Sequence, residues 1–288
     1  MAILILEVSQ MNITTLIENK SGGKEELNTE HGLSMYIEID GKNILFDTGQ
    51  SGKFIDNAKK LNIDLKDLDY AILSHGHYDH SGGFVRLIQE INPKIKLYVG
   101  KGFFHEKYNL HQEDYEYVGN DFDEDFLRSN HIPVEYIQEN SMNITENLIA
   151  FTNFHRNEEF ENSNQNMFIK EKNKYKKDLF LDEISLGIPS KEGFVLLVGC
   201  SHVGIVNILD TVIQRTNKNI HTFLGGTHLV TEEEEKINRV IQYIQEKDIQ
   251  VVGACHCTGK NGETMLREQL GEKFKNNRTG NLFTIENI

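Results

Sequence analysis

The chain is 288 residues long with 38% hydrophobic content, enough to bury one sizeable core, so a single domain over 1–288 is expected. Its 44 acidic against 30 basic side chains give a formal charge of −14, which argues against a surface for nucleic acid or an anionic membrane and points to a small-molecule substrate. Three cysteines make no disulfide framework, the apolar start at 2–6 is too short for a secretory segment, and no stretch reaches membrane-spanning length, so reduced thiols and a cytoplasmic location are expected. Composition leaves the oligomeric state open, a homo-oligomer included.

In chain order, 3–8 reads as a strand, and 34–39 and 42–46 as strands joined by a hairpin turn at Asp40-Gly41. A helix over 53–61, a buried strand over 71–73, a helix over 84–91 and a strand over 95–99 follow. The second half repeats this alternation, with strand 194–198, helix 205–213, strand 221–224, helix 232–245, and strand 250–253 running into Cys255-His256-Cys257. Between them, 101–180 changes texture, being acidic and tyrosine-rich over 113–125, polar over 158–166 and basic over 170–177. It is expected to be an irregular or helical insertion, or a cap, within the domain. Phe103, Phe104, Tyr108, Tyr115 and Tyr117 are expected to pack a helical subdomain on the core, with a wall for an aromatic ligand as the alternative.

The chemistry concentrates after the buried strand, in Leu73-Ser74-His75-Gly76-His77-Tyr78-Asp79-His80. Extended backbone sends residues two apart to the same side, so His75 and His77 can converge on one cation, leaving Asp79 and His80 for a second. A single histidine usually has an ordinary packing role; three imidazoles and a carboxylate in six residues do not.

Those residues match the HxHxDH signature of the metallo-β-lactamase superfamily, and Ile44-Leu45-Phe46-Asp47-Thr48-Gly49 resembles the strand and turn that precede it there. Glu30-His31-Gly32-Leu33-Ser34, Val198-Gly199-Cys200-Ser201-His202, Gly225-Gly226-Thr227-His228-Leu229 and His256-Cys257-Thr258-Gly259 are similar to one branch. That branch holds the archaeal dihydropterin ribofuranosyl-aminobenzene phosphate synthases and bacterial metal-dependent hydrolases. The resemblance implies an α/β fold, a four-layer αββα sandwich with its site along one rim of the sheets.

It also implies two divalent metal ions. His202 is the expected ligand beside His75 and His77, and His256 the one beside Asp79 and His80. In most relatives a histidine on an intermediate strand and a later bridging aspartate complete the sites. Here Cys200 stands at the aspartate position, either as a thiolate ligand or as a packed thiol. Asp182 or Glu183 could replace the intermediate histidine. Asp47 suits an outer carboxylate that orients an imidazole. His31 is placed at the mouth, Cys257, Thr258 and Gly259 in the turn around His256, and Cys255 in packing. His228 is a candidate ligand, proton donor or substrate contact, against an ordinary turn histidine. His105, His111, His131, His155 and His221 have no partner spacing.

Zinc suits such donors, with iron or manganese as alternatives. The expected activity is hydrolysis of an ester, lactone, thioester or phosphoester by a water that the cations acidify, with Asp79 and His228 as the catalytic side chains. Two other classes stand beside it: a transferase acting on a phosphorylated pterin-type precursor, and a metal-bearing binding protein without turnover. A phosphorylated ligand would require cations such as Lys101, Arg156 or Lys191 at the metals. Ser201 sits between a strand and a helix like a nucleophile elbow, but Gly199-Cys200-Ser201-His202-Val203-Gly204 is one residue too long for that motif.

Overall fold

Strands whose two faces are both covered read as unbroken apolar runs, and alternation along them sorts side chains into separate layers. In the strand Gly193–Val198, Phe194, Leu196 and Val198 enter one apolar cluster while Val195 and Leu197 enter another. The computed structural model describes residues 10–160, 164 and 166–286; the strand expected at 3–8 lies outside them.

One sheet has seven strands, ordered Leu282–Glu286, Gln10–Ile17, Ser34–Ile39, Lys42–Phe46, Tyr70–Leu73, Lys96–Gly100 and Val134–Ile137. Its first four strands are antiparallel, and the pairings from Lys42–Phe46 onward are parallel. The second has six, ordered Val251–Cys255, Ile220–Gly226, Gly193–Val198, Ser185–Ser190, Ile149–Phe151 and Ser141–Asn143, the first three parallel. Between the sheets lies a cluster that joins Ile37, Phe46 and Ile72 to Leu186, Leu197 and Leu224. Outside the first sheet, Phe54, Ile55 and Ala58 of the helix Lys53–Lys60 pack on Leu45, Ala71 and Leu73. Outside the second, the helices Ile205–Thr216, Glu234–Glu246 and Gly259–Leu270 supply Ile208, Ile241 and Leu266. Helix, sheet, sheet, helix is the αββα order, the metallo-beta-lactamase fold.

The helix expected over 84–91 is a single α turn, Phe84–Arg86, continuing as a wider π turn, Leu87–Ile91, and stopped by Asn92 at φ 51. The middle segment departs more. It is neither irregular nor helical for most of its length, and it is not one insertion, because Val134–Ile137, Ser141–Asn143 and Ile149–Phe151 are strands of the two main sheets. What it adds is a third, antiparallel sheet of Lys174–Lys177, Met167–Glu171, Glu106–His111 and Asp114–Tyr117, with one short helix, Glu124–Ser129.

Tyrosines at every second position explain the strands. Tyr115 stacks on Tyr175 with ring centroids 3.6 Å apart, and Tyr108 meets Tyr115, Tyr117 and Tyr175 edge-on. Lys172 and Asn173, both at positive φ, make the tight turn of one hairpin. Phe103 and Phe104 do pack on the core beside the first sheet.

Leu197 is fully buried between the sheets. Leu197→Ala is expected to cost about 2–5 kcal/mol of unfolding free energy, read from urea denaturation, since a cavity between two strand layers cannot collapse freely.

Candidate metal centre

In open sheets, side chains that act on ligands gather beyond the carboxyl ends of parallel strands. Here both sheets present those ends along the same rim. Asp47 follows Lys42–Phe46, His75 follows Tyr70–Leu73, Cys200 and His202 follow Gly193–Val198, His228 follows Ile220–Gly226, and His256 follows Val251–Cys255. Asp47, His228 and His256 take positive φ, at 62°, 49° and 52°, so the chain turns sharply just where each side chain is delivered.

Two donor groups result. His75, His77 and His202 form one: the His202 ring lies 4.9 Å from each of the other two by centroid, and His75 Nε2 is 3.1 Å from His77 Nδ1. Asp79, His80 and His256 form the other, with His256 Nε2 3.2 Å from both Asp79 Oδ2 and His80 Nε2. Cys200 Sγ sits between them, 3.1 Å from His80 Nε2. Its sulfur lies within 4.8 Å of ligand atoms of His75 and His202 on one side, and of Asp79, His80 and His256 on the other. Cys200 thus occupies the place where the two groups meet.

The donors fit metal ions. His77 Nε2 and His202 Nε2 are buried without a hydrogen-bond partner among the described residues, a state that costs free energy unless a cation takes the lone pair. Burial holds His75 and His202 well below the usual histidine range, and burial with the nearby Lys107 charge takes His77 down to about 3. Near neutral pH these rings are uncharged, the ligating form.

Outer partners fix most of the rings by their other nitrogen. His80 Nδ1 donates to Asp47 Oδ2 at 2.6 Å, and Asp47 also receives the Ser74 N–H and hydroxyl at 2.7 Å each. Burial opposes a charge on His80, yet Asp47 and Asp79 together raise it to about 9. His256 Nδ1 is 2.9 Å from Asn19 Oδ1, His202 Nδ1 is 3.1 Å from Asn164 Oδ1, and His75 Nδ1 is 2.9 Å from Ser74 Oγ. Burial disfavours the charge on Asp79 as well, but His80, His256 and His31 hold it well below the usual carboxylate range. His31 is at the mouth, its Nε2 3.2 Å from Asp79 Oδ2.

Asp182 and Glu183 are not ligands, contrary to the sequence expectation, because backbone donors occupy them. Glu183 accepts the N–H groups of His202 and Val203 at 2.6 and 2.9 Å, and burial raises it to about 7. Asp182 Oδ2 accepts the Gly76 N–H, between His75 and His77, at 2.8 Å. Its other oxygen takes Lys107 Nζ at 3.0 Å, and Asp178 takes the same ammonium at 2.7 Å, an ion cluster with Lys107 only 1% exposed. Ser201 is no nucleophile either: its buried hydroxyl donates to the Gly226 carbonyl.

The centre opens into a cavity of about 570 Å³. The third sheet walls it with Asn109, His111, Glu116 and Met167, while Tyr108, Tyr115 and Tyr117 hold the alternate positions of the same strands and do not line it. The cations facing it are Lys20 and Lys260; Lys101 and Lys191 line other cavities, and Arg156 donates to the Leu179 carbonyl. Sequence reasoning missed Glu18, Asn19, Lys107, Asn164 and the approach of Cys257 to Cys200. Only the first two had a signal, the run Ile13-Thr14-Thr15-Leu16-Ile17 just before them, rich in β-branched residues and so strand-forming.

Lys107→Met leaves Asp178 and Asp182 buried without their cation, and a loss of about 3–5 kcal/mol in denaturant unfolding is expected. A loss below about 1 kcal/mol, the range of exposed pairs, would contradict the cluster's place in the fold.

Among known proteins, the 7,8-dihydropterin-6-methyl-4-(beta-D-ribofuranosyl)-aminobenzene-5'-phosphate synthase of Methanocaldococcus jannaschii is 28% identical, covering 96% of this chain and 97% of that protein. An uncharacterised protein of the same organism, MJ0448, is 30% identical over 83% of this chain and 88% of its own. The crystal structure of Tm1679, a metal-dependent hydrolase of the beta-lactamase superfamily, superposes with a TM-score of 0.84 at 29% identity, covering 96% of this chain and 100% of that one. The family model of the metallo-beta-lactamase superfamily matches residues 27–205, and with both sheets and the histidine-rich rim in place the chain belongs to that superfamily.

Proposed function

We propose that the chain is a metal-dependent hydrolase of a small molecule, with two divalent cations at its centre. His75, His77 and His202 hold one, and Asp79, His80, Cys200 and His256 the other. The observation that carries this reading is the pair of donor groups meeting at Cys200, His75 and His202 on one side and Asp79, His80 and His256 on the other, with His77 Nδ1 3.1 Å from His75 Nε2, and with His202 Nε2 buried without another partner among the described residues. Nitrogen, oxygen and one sulfur donor favour zinc over iron or manganese, since thiolate is a soft ligand. Cations bound there supply Lewis acidity and bring the pKa of a coordinated water toward neutrality.

The chain's own groups do the rest. Asp47, Asn19 and Asn164 engage the Nδ1 atoms of His80, His256 and His202, so Nε2 of each ring is the nitrogen turned to the centre, and His80, raised to about 9 by Asp47 and Asp79, would have to give up its Nε2 proton to bind a cation. Asp79, in contact with His31, His80 and His256, holds negative charge at the mouth of the cavity. His228, whose ring lies 4.2 Å from His202 and whose Nδ1 is buried without a hydrogen-bond partner among the described residues, is placed to give the leaving group its proton.

A second reading, transfer to or from a phosphorylated precursor, is supported by the synthase among the relatives and by Lys20 and Lys260 on the cavity wall. The two readings share the centre and differ in the acceptor.

Chelation is expected to abolish turnover of a panel of esters, lactones, thioesters and phosphodiesters, and zinc to restore it. A chain that keeps its ions but turns over no member of the panel would overturn the hydrolase reading in favour of transfer or of a metal-bearing binding protein. Asp47→Ala is expected to weaken metal binding about 10–100-fold in competition with a chromophoric chelator. His228→Gln is expected to lower kcat about 10²–10⁴-fold in the zinc-loaded chain, with the ions held by His75, His77 and His202 and by Asp79, His80 and His256 retained.

A further inference from the structure

Cys257 is left over from the two donor groups, yet it lies on the cavity wall, 7% exposed, beside both Cys200 and His228. The ligand atoms of Cys200, Cys257 and His228 lie within 4.8 Å of one another, a third group that shares one sulfur with the other two. Cys257 Sγ accepts the His228 N–H at 3.2 Å and lies 3.4 Å from the Cys200 carbonyl. His228 Nδ1, buried without a partner among the described residues, is the remaining donor.

The backbone makes room for this approach at Gly226. A Cβ there would stand 2.5 Å from Cys257 Sγ and 3.4 Å from the Cys200 Cα, so any side chain would push the two cysteines' strand ends apart. Cys255 takes no part: it is fully buried between the sheets, and its sulfur is 3.5 Å from Asn277 Nδ2.

We propose that Cys200, Cys257 and His228 form a second seat, of two sulfurs and one nitrogen, for the cation that Cys200 holds. Such a set selects the softest ions, cadmium or copper(I), over manganese or magnesium, while borderline zinc is held equally well by the mixed set of Asp79, His80, Cys200 and His256. Each thiol releases its proton to solvent as its sulfur binds the ion. The seat competes with Asp79, His80 and His256 for the Cys200 sulfur, so a soft ion is drawn deeper into the cavity wall and a harder one stays with the carboxylate. This rests on the reading of Cys200 as a ligand, and the experiment separates the two.

Cadmium NMR of the full chain loaded with cadmium reports the number of sulfur ligands through the chemical shift. The expected spectrum contains a two-sulfur resonance that Cys257→Ser abolishes, that His228→Gln shifts, and that Cys255→Ser leaves alone. A native spectrum with only one-sulfur and nitrogen-oxygen resonances would overturn the second seat and leave Cys200 as a ligand. No sulfur-bound resonance at all would overturn both. His228→Gln keeps both thiols, so it supplies the test if Cys257→Ser does not fold: an unshifted two-sulfur resonance would remove His228 from the seat and contradict the proposal.

Discussion

One buried carboxylate ties the centre together. Asp47, at φ 62, accepts hydrogen bonds from the Ser74 N–H, the Ser74 hydroxyl and His80 Nδ1, so it joins the ends of two neighbouring parallel strands to the short helix Tyr78–Ser81. Ser74 in turn reaches His75 Nδ1. A histidine from each donor group is thereby aimed from one point. The residue is fully buried, and the hydrogen bonds it accepts offset its desolvation. The Thr48 N–H and hydroxyl, one residue on, bond to the His80 carbonyl at 2.7 and 2.9 Å and hold the same turn from its backbone.

Further carboxylates answer from around the rim. Glu183 grips the turn that carries His202, and Glu18 receives the His256 N–H at 2.9 Å. Asp182 spans the gap, holding Gly76 with one oxygen and Lys107 with the other. Carboxylates anchored to backbone N–H groups therefore position the turns that bear His77, His202 and His256. This arrangement explains how the rim accommodates a cysteine at residue 200: the supports act on neighbouring turns and need nothing from that side chain.

Much of this was legible in the sequence. Local alternation and turn chemistry located the hairpin at Asp40-Gly41 and most of the elements from residue 34 to 99 and from 194 to 253, and the histidine spacing marked the rim, whereas the strands Gln10–Ile17, Ser185–Ser190 and Leu282–Glu286 and the helix Gly259–Leu270 were not expected. The third sheet is hidden because charge and polarity over 113–125 mask the period-two tyrosines of the hairpin Glu106–His111 and Asp114–Tyr117, and because the pairing of Glu106–His111 with Met167–Glu171, some sixty residues on, has no local signal. Lys107, Asn164 and the part played by Cys257 are invisible for a related reason. Each acts through a residue distant in sequence, Lys107 through Asp182 and Asn164 through His202, while Cys257 meets Cys200 across two strand ends. Asp182 and Glu183 stand near the site with a different task from the one expected, since a sequence shows a carboxylate and not the backbone donors it has already satisfied.

The central claim is that both donor groups hold cations, and elemental analysis of the purified chain tests it most directly. About two zinc ions per chain are expected in the native protein, falling to about one in His77→Ala and in Asp79→Ala, each of which breaks a different group. A chain that carries no metal after purification without chelator, and regains none from zinc, iron or manganese, would contradict the account.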